Sequence, residues 1–388
     1  MASHDLHNDA ADRLRNAHRV VIKLGTSTVA GADGEICNER LKPIARSIAD
    51  LKGAGRQVVL VSSGAVGLGA GRLGLSRARL NDLVVRQACA AVGQSLLMNA
   101  YEQLFGAHDV KIAQVLLTEE DFADRARYRN LRSTMEKLLK FHVLPIVNEN
   151  DTVSTAELEY LTEDNNRIFG DNDRLAALVM SKLEADALVL LTDVDGLLSR
   201  SGTKSVEANE EEWRVIPLVE EITPELRSLA SGPSIGGRGG MLSKLEAAQI
   251  GMQAGGVTVV ASGKAPGTLD RIFAGDEIGT VFVSASRMHG KRRWIAYAAN
   301  VRGRVVVNAG AREAIVNGKA SLLASGVIRV EGEFNSSDVV SIADAEGREF
   351  ARGMAGRASA EVSLQVDGKG GTGVLIARNN IVILETGV

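Results

Sequence analysis

Two lysines stand where a chain can meet phosphate. Lys23 stands next to last in the apolar run Val20-Val21-Ile22-Lys23-Leu24, which Gly25-Thr26-Ser27 follows at once. Backbone N–H groups and hydroxyls there could meet phosphate oxygens beside a cation. Lys244 follows Gly236-Gly237-Arg238-Gly239-Gly240-Met241-Leu242-Ser243, a glycine loop running into a helix. Its ammonium would project near a helix N-terminus, which favours anions. Taken singly, the first reads more readily as a strand-end lysine in solvent and the second as a surface lysine beside a flexible loop. Their combination is more specific. Phosphoryl transfer chiefly requires positioning and neutralisation of charge on the γ-phosphate oxygens, and two lysines acting from opposite sides can supply both. The chain has no Gly-x-x-x-x-Gly-Lys-Ser/Thr loop and no His-Arg-Asp loop, so the P-loop and protein-kinase solutions are absent.

Four further segments carry polar groups just after apolar runs. Val61-Ser62-Ser63-Gly64-Ala65 leads into Gly67, Gly69 and Gly71, which read as a loop whose N–H groups can bind an anion. The string Gly69-Ala70-Gly71-Arg72-Leu73-Gly74 matches a dinucleotide-binding fingerprint. It lies too far beyond the run to make the strand-to-helix turn that fingerprint needs, and reads as a chance match. Asn148-Glu149-Asn150-Asp151 and Asp171-Asn172-Asp173 supply amides and carboxylates, able to receive an ammonium or a carboxylate or to position lysines and Mg²⁺. Helix capping by Asp171 or Asn172 is the plainer alternative. Leu191-Thr192-Asp193-Val194-Asp195-Gly196 suits either a grip on a ribose or adenine edge or an ordinary turn.

These segments need a frame. Short runs rich in Val, Ile and Leu recur at residues 19–24, 57–61, 110–117, 143–147, 187–191 and 257–261, each suited to a buried parallel strand. Between them lie helical patterns at 126–141 and 173–183, and one in which Leu41, Ile44, Ala45, Ile48 and Ala49 share a face, with Asn38 as N-cap and Gly53 as the stop. The alternation predicts an α/β fold, a mostly parallel sheet between helical layers, with ligands at the carboxyl ends of its strands. After about residue 284 the texture becomes brief alternating segments at 304–307, 327–330, 339–342 and 381–384, opened by Lys291-Arg292-Arg293-Trp294. That is the pattern of a small antiparallel β-barrel or sandwich. The expected division is therefore a loose leader over 1–18, an α/β domain over 19–284, a boundary near 285–290 and a β domain over 291–388.

Composition narrows the classes. Within 388 residues, 45% are hydrophobic, 24% are charged and the formal net charge is -3, which gives no general attraction to nucleic acid or an anionic membrane. Cys37 and Cys89 form no Cys-x-x-Cys pair and are too few for a disulfide framework, so a cytoplasmic protein is expected, with no protein-built metal site. No apolar stretch approaches a membrane-spanning length.

In order, Val-Ile-Lys-Leu-Gly-Thr-Ser, Ser-Ser-Gly-Ala, Asn-Glu-Asn-Asp, Gly-Asp-Asn-Asp, Leu-Thr-Asp and Gly-Gly-Met-Leu-Ser-Lys closely resemble the bacterial glutamate 5-kinase family of the amino-acid kinase superfamily. The tail resembles that family's PUA domain through Lys291-Arg292-Arg293-Trp294-Ile295, Ser321-Leu322-Leu323 and Gly332-Glu333-Phe334. The resemblance implies the amino-acid kinase fold and ATP-dependent, Mg²⁺-accompanied phosphorylation of the side-chain carboxylate of L-glutamate, the first step of proline synthesis. It implies that Lys23 and Lys244 stabilise the transferring phosphoryl group, with Asp173 holding them. Ser63, Asn148, Asp151 and Asn172 would bind glutamate. Lys23, Gly25, Thr192, Asp193, Arg238, Gly239, Gly240, Met241, Leu242, Ser243 and Lys244 would bind the nucleotide. The family also implies proline feedback and a homodimer or homotetramer. The chain departs from the family in an acidic insertion over 157–170, in Arg238 where threonine is common, and in the missing proline of the turn at 321–326. PUA modules elsewhere bind RNA, yet residues 291–388 hold 13 Lys/Arg against 10 Asp/Glu, too small an excess for a backbone-binding face. A silent RNA-binding protein and a nicotinamide-dependent oxidoreductase are the competing readings.

Overall fold

The computed structural model describes all residues except 1, 32, 119, 154–171, 201–212, 231–239, 285–289, 300, 318–319, 363–372 and 385–388. The chain divides into two compact units, Met1–Asp121 with Ala126–Arg287, and Phe122–Arg125 with Met288–Val388. The expected boundary at 285–290 falls largely outside the described residues, as do the 157–170 insertion, Asp171, Arg238 and Gly239.

The first unit is built on an eight-stranded sheet. Its strands are β1 (Arg19–Leu24), β2 (Gln57–Ser62), β3 (Ile112–Leu117), β4 (Leu144–Glu149), β5 (Ala187–Thr192), β8 (Leu218–Val219), β9 (Val257–Ser262) and β10 (Thr280–Phe282), while β6 (Leu198–Arg200) and β7 (Trp213–Val215) pair separately. The sheet order is β3-β4-β2-β1-β5-β9-β10-β8. From β3 to β9 every neighbouring pair is parallel, and β10 then runs antiparallel to β9. Residues 20–24 of β1 and 58–62 of β2 are all buried, as is the whole of β5. Continuous apolar runs of this kind fit strands covered on both faces. Register aligns their ends: Leu24 lies opposite Ser62 and Leu191, Val61 opposite Val147, and Thr192 opposite Ser262. The polar residues that follow the strands therefore emerge along one edge of the sheet.

The helices of this unit are α1 (Ala2–Arg15), α2 (Thr26–Val29), α3 (Asn38–Gly53), α4 (Ala65–Arg72), α5 (Leu83–Gly106), α6 (Glu120–Ala123) and α7 (Arg125–Lys140), whose adjoining ends over Phe122–Arg125 count with the second unit, α8 (Asn172–Leu183), α9 (Pro224–Leu229), α10 (Met241–Gln253) and α11 (Thr268–Ala274). Residues 2–15, expected to be loose, form α1 instead, and Ala10 and Leu14 join the main core. On α3, Leu41, Ile44, Ala45 and Ile48 are buried as the helical pattern requires. Cys37 and not Asn38 is the N-cap, without a side-chain bond, and Gly53 stays helical. The left-handed position that ends the segment belongs to Gly55, at φ +84.

Glycines 67, 69 and 71, expected in a loop, lie within α4. A Cβ on Gly69 would sit 1.8 Å from the Cys89 carbonyl oxygen, and one on Gly93 of α5 would sit 1.7 Å from that of Ala65. The glycines thus let α4 and α5 approach backbone to backbone, which is why the fingerprint-like string has no ligand-binding geometry. Gly64, at φ +104, makes the turn from β2 into α4, a conformation that a Cβ opposes.

The second unit holds a five-stranded sheet ordered β13 (Val327–Glu331), β11 (Val301–Val307), β14 (Val339–Ala343), β15 (Glu349–Met354) and β17 (Ile381–Ile383), with β12 (Leu322–Leu323) paired to β16 (Val374–Ile376). Val305, Val307, Val340, Ile342, Phe350 and Ile381 lie in its core. The sheet is not purely antiparallel as expected, because β11 and β14 pair in parallel. Lys291-Arg292-Arg293-Trp294 opens no strand. The short helix α12 (Gly290–Arg293) passes into a wide turn over Trp294–Ala298, closed by the Ala299 N–H donating to the Trp294 carbonyl at 2.9 Å. A second helix, α13 (Ala309–Val316), begins at Asn308, whose side chain accepts from the Ala311 N–H.

Candidate active site

Three charged side chains meet inside the first unit. Lys23, next to last in β1, places Nζ 2.6 Å from Asp173 Oδ1, and Lys244, in the first turns of α10, places Nζ 3.0 Å from Asp173 Oδ2. Asp173 is fully buried, and each lysine is only 5% exposed. Charges removed from water to this degree persist only when paired. Burial alone would raise the Asp173 pKa, but the two ammonium groups outweigh it and hold the carboxyl down to about 2. Among the described residues, one carboxylate against two lysines leaves one formal positive charge, an excess suited to an anion.

The start of α10 adds backbone donors. Its N-cap, Gly240, has no side chain to cap with, so among the described residues no N-cap side chain occupies the first N–H groups. Ser243 Oγ donates its one hydrogen to the Gly240 carbonyl at 2.8 Å and lies 3.5 Å from Asp173 Oδ2 on α8. After β1, the Gly25 N–H donates to the Leu191 carbonyl at 3.2 Å. A Cβ on Gly25 would meet the Leu191 carbonyl oxygen at 3.5 Å and Lys23 Nζ at 3.9 Å, both ordinary contacts. Thr192, buried at the end of β5, donates from Oγ1 to Asp193 Oδ1 at 3.1 Å, while Asp193 is exposed.

A neutral network lies on the other side of α8's first residue. Asn172 Nδ2 has three acceptors within reach of its two hydrogens, Ser63 Oγ at 2.7 Å, the Ser62 carbonyl at 3.2 Å and Asn148 Oδ1 at 3.2 Å. Asn148, itself buried, donates from Nδ2 to Gln94 Oε1 at 3.1 Å and accepts from the Glu149 N–H at 2.9 Å. Asp151 sits half-buried in the turn after β4, three residues beyond Asn148.

The structure therefore brings Lys23, Lys244 and Asp173 into one cluster and Ser63, Asn148 and Asn172 into another. Consecutive residues of α8 join them, pointing about 100° apart around the helix. Among the described residues Thr192 and Asp193 are bonded to each other and not to the lysine cluster. Sequence reasoning missed Gln94. Its one signal was a polar residue on the α5 face that carries the buried Ala90, Leu97 and Tyr101, where an amide must find partners. Tyr101 shows the same pattern, sharing a 2.7 Å hydrogen bond with Ser62 Oγ. A cleft of about 1370 Å³ beside α3, α4 and α5 contains none of these residues, so cavity size does not locate the chemistry. Among the described residues no cluster of His, Cys, Asp and Glu is arranged to hold a metal, and no helix is long and apolar enough to cross a membrane.

Comparison with known proteins identifies the family. Residues 18–261 match the model of the amino acid kinase family, and residues 303–371 match that of the PUA domain. A glutamate 5-kinase of Moorella thermoacetica is 46% identical over 352 residues, 90% of this chain and 89% of that protein. One from Myxococcus xanthus is 46% identical over 344 residues, 88% of this chain and 87% of its own. One from Caldanaerobacter subterraneus is 40% identical over 381 residues, 95% and 98% of the two chains. A solved UMP kinase from Bacillus anthracis is 17% identical with a TM-score of 0.46, over 70% of this chain and 97% of that one. The chain belongs to the amino acid kinase family, carries a C-terminal PUA domain and is a relative of the glutamate 5-kinases.

Proposed function

We propose that the protein transfers the γ-phosphoryl group of ATP to the side-chain carboxylate of L-glutamate, forming γ-glutamyl phosphate, the first step of proline synthesis. The observation that carries this reading is the buried Asp173 carboxylate holding Lys23 and Lys244 at its two oxygens, one residue from an amide and hydroxyl network. The kinship with glutamate 5-kinases supplies the identity of the acceptor.

In this reading Lys23 and Lys244 neutralise the charge that spreads over the transferring phosphoryl oxygens, and Asp173 fixes both ammonium groups before substrate arrives, so that little reorganisation remains. The uncapped turn at Gly240, Met241, Leu242 and Ser243 receives phosphate oxygens, and Arg238 and Gly239 precede it in sequence. Gly25, beside Lys23, belongs to the same nucleotide site. Thr192 and Asp193 hold the rest of the nucleotide. Mg²⁺ arriving with ATP would offset phosphate charge, and the net positive cluster and backbone donors fit such a ligand. Ser63, Asn148, Asp151 and Asn172 hold glutamate. No general base is required, because a carboxylate is already an ionised nucleophile at neutral pH. The same reading takes 19–284 as the kinase domain and 291–388 as PUA-like, and includes a cytoplasmic homodimer or homotetramer inhibited by proline.

Incubation with ATP, Mg²⁺ and hydroxylamine tests it. A hydroxamate should form with glutamate and not with aspartate or N-acetylglutamate. Product with either of those, and none with glutamate, overturns the proposed acceptor.

A further inference from the structure

Two backbone groups decide how the three amides of the neutral network are oriented. The Ser62 carbonyl can only accept, so the Asn172 atom 3.2 Å from it is the NH₂. The Glu149 N–H can only donate, so the Asn148 atom 2.9 Å from it is the oxygen. Asn148 must then present its NH₂ to Gln94, and Gln94 must answer with Oε1 at 3.1 Å. Exchanging oxygen and nitrogen on any one of the three would set donor against donor or acceptor against acceptor. Two atoms are left over. Gln94 Nε2 and Asn172 Oδ1 are buried and have no hydrogen-bond partner among the described residues. Buried amides are rarely left unmade, and one that is calls for a partner.

The leftover groups differ in kind, and so do the ends of an acidic amino acid. At neutral pH its carboxylates only accept and its ammonium only donates. We propose that Gln94 is a specificity-determining residue of the acceptor site, its NH₂ donating to the non-reacting carboxylate while Asn172 Oδ1 accepts from the substrate ammonium. The inference rests on the acceptor reading given above. The reacting carboxylate belongs beside the lysines of Asp173, adjacent to Asn172 in sequence. Gln94 is one amide further along the network, and so takes the other carboxylate.

Gln94→Glu keeps an oxygen for Asn148 but replaces the donor with a carboxylate, whereas Gln94→Met keeps the length and loses both groups. Steady-state kinetics should show the glutamate KM raised at least about tenfold in each, with kcat and the ATP KM within about threefold of the parent. As pH falls from 8 to 6, the glutamate KM of Gln94→Glu should return toward that of the parent, because the protonated acid donates again. That of Gln94→Met should not follow. Competitive inhibition by 4-aminobutyrate, which lacks the non-reacting carboxylate, should be equal for the parent and Gln94→Met within about twofold. Equal weakening of glutamate and 4-aminobutyrate, or a loss confined to kcat, would overturn the inference, as would a flat pH response of Gln94→Glu. If Gln94→Glu does not fold, the 4-aminobutyrate comparison on Gln94→Met decides alone. A parent protein that forms no product with glutamate instead overturns the acceptor reading itself.

Discussion

Replacing Asp173 by asparagine isolates the charge that holds the two lysines, because asparagine has nearly the same shape and leaves α8 intact. Asp173 is fully buried with an ammonium at each oxygen, at 2.6 and 3.0 Å. Without the carboxylate, two cations on opposite sides of one small side chain, roughly 5 Å apart, repel by about 3 kcal/mol at an effective dielectric of about 20. Breaking a buried pair typically costs about 3–5 kcal/mol. Asp173→Asn should therefore lower stability by about 3–5 kcal/mol in urea unfolding at pH 7. Glutamate-dependent ADP release should fall by about 10²–10³-fold and should not recover at high pH, since neutral lysines cannot stabilise phosphoryl oxygens. Parental stability at pH 7, or activity restored at pH 9, would refute the electrostatic role given to Asp173.

Lys244→Ala should reduce kcat far more than it changes the glutamate KM, whereas Asp151→Ala should chiefly raise that KM; steady-state kinetics on both acceptor and ATP would expose a reversed assignment. Gly93→Ala would drive a Cβ to 1.7 Å from the Ala65 carbonyl oxygen, so α4 and α5 must separate, lowering the unfolding free energy in urea by about 3 kcal/mol; an unchanged midpoint would show that the contact gives way freely. Lys182 near the end of α8 lies against the Tyr128 ring, and burial first, then Arg132, pushes its pKa down to about 7 against the pull of Glu136. The folded form thus binds its proton less well than the unfolded one, which penalises folding at pH 7 and below and less so as pH rises toward 10.5. Lys182→Met should raise stability at pH 7 by about 1–2 kcal/mol, screened below what the full shift implies, with the gain shrinking by pH 9. Acid unfolding should show the opposite sign for Asp173: a carboxyl held to about 2 contributes fully above about pH 4 and is lost as pH falls through 2.

Much of the frame was legible because parallel strands buried on both faces leave a strong local trace. The apolar runs at 19–24, 57–61 and 187–191 correspond to β1, β2 and β5 within a residue. Glycine misled, because its two uses look alike in a string. In α4 the residue serves close helix packing, and that depends on Cys89 and Ala65 lying opposite, which no local pattern reports. The N-terminal segment was misjudged for a similar reason. Its polar composition suggested solvent, yet Ala10 and Leu14 suffice to seat one face of α1 on the core. Within the second unit, the parallel pairing of β11 with β14 joins segments far apart in the chain, beyond the reach of turn signals.

The site divides along the same line. Lys23 and Lys244 could be named because each stands beside a glycine-rich segment at an element's end, where backbone groups are unpaired and ligands gather, and Asp173 took its role through the family resemblance. Gln94 stands in the middle of a helix, where no such signal exists, and only its place on a buried face hinted at a partner. The structure adds the reason the two clusters are mechanically coupled. Asn172 and Asp173 open α8, whose residues from Leu175 to Leu183 are all buried, so the helix cannot turn to favour one residue over the other. A shift of α8 that loosened the Asp173 pairs would also pull Asn172 from Ser63 and Asn148. Mutations deep in α8 should therefore raise the glutamate KM and lower kcat together. A core substitution at Val179 or Met180 that moved only one of the two would mean that the clusters are held independently.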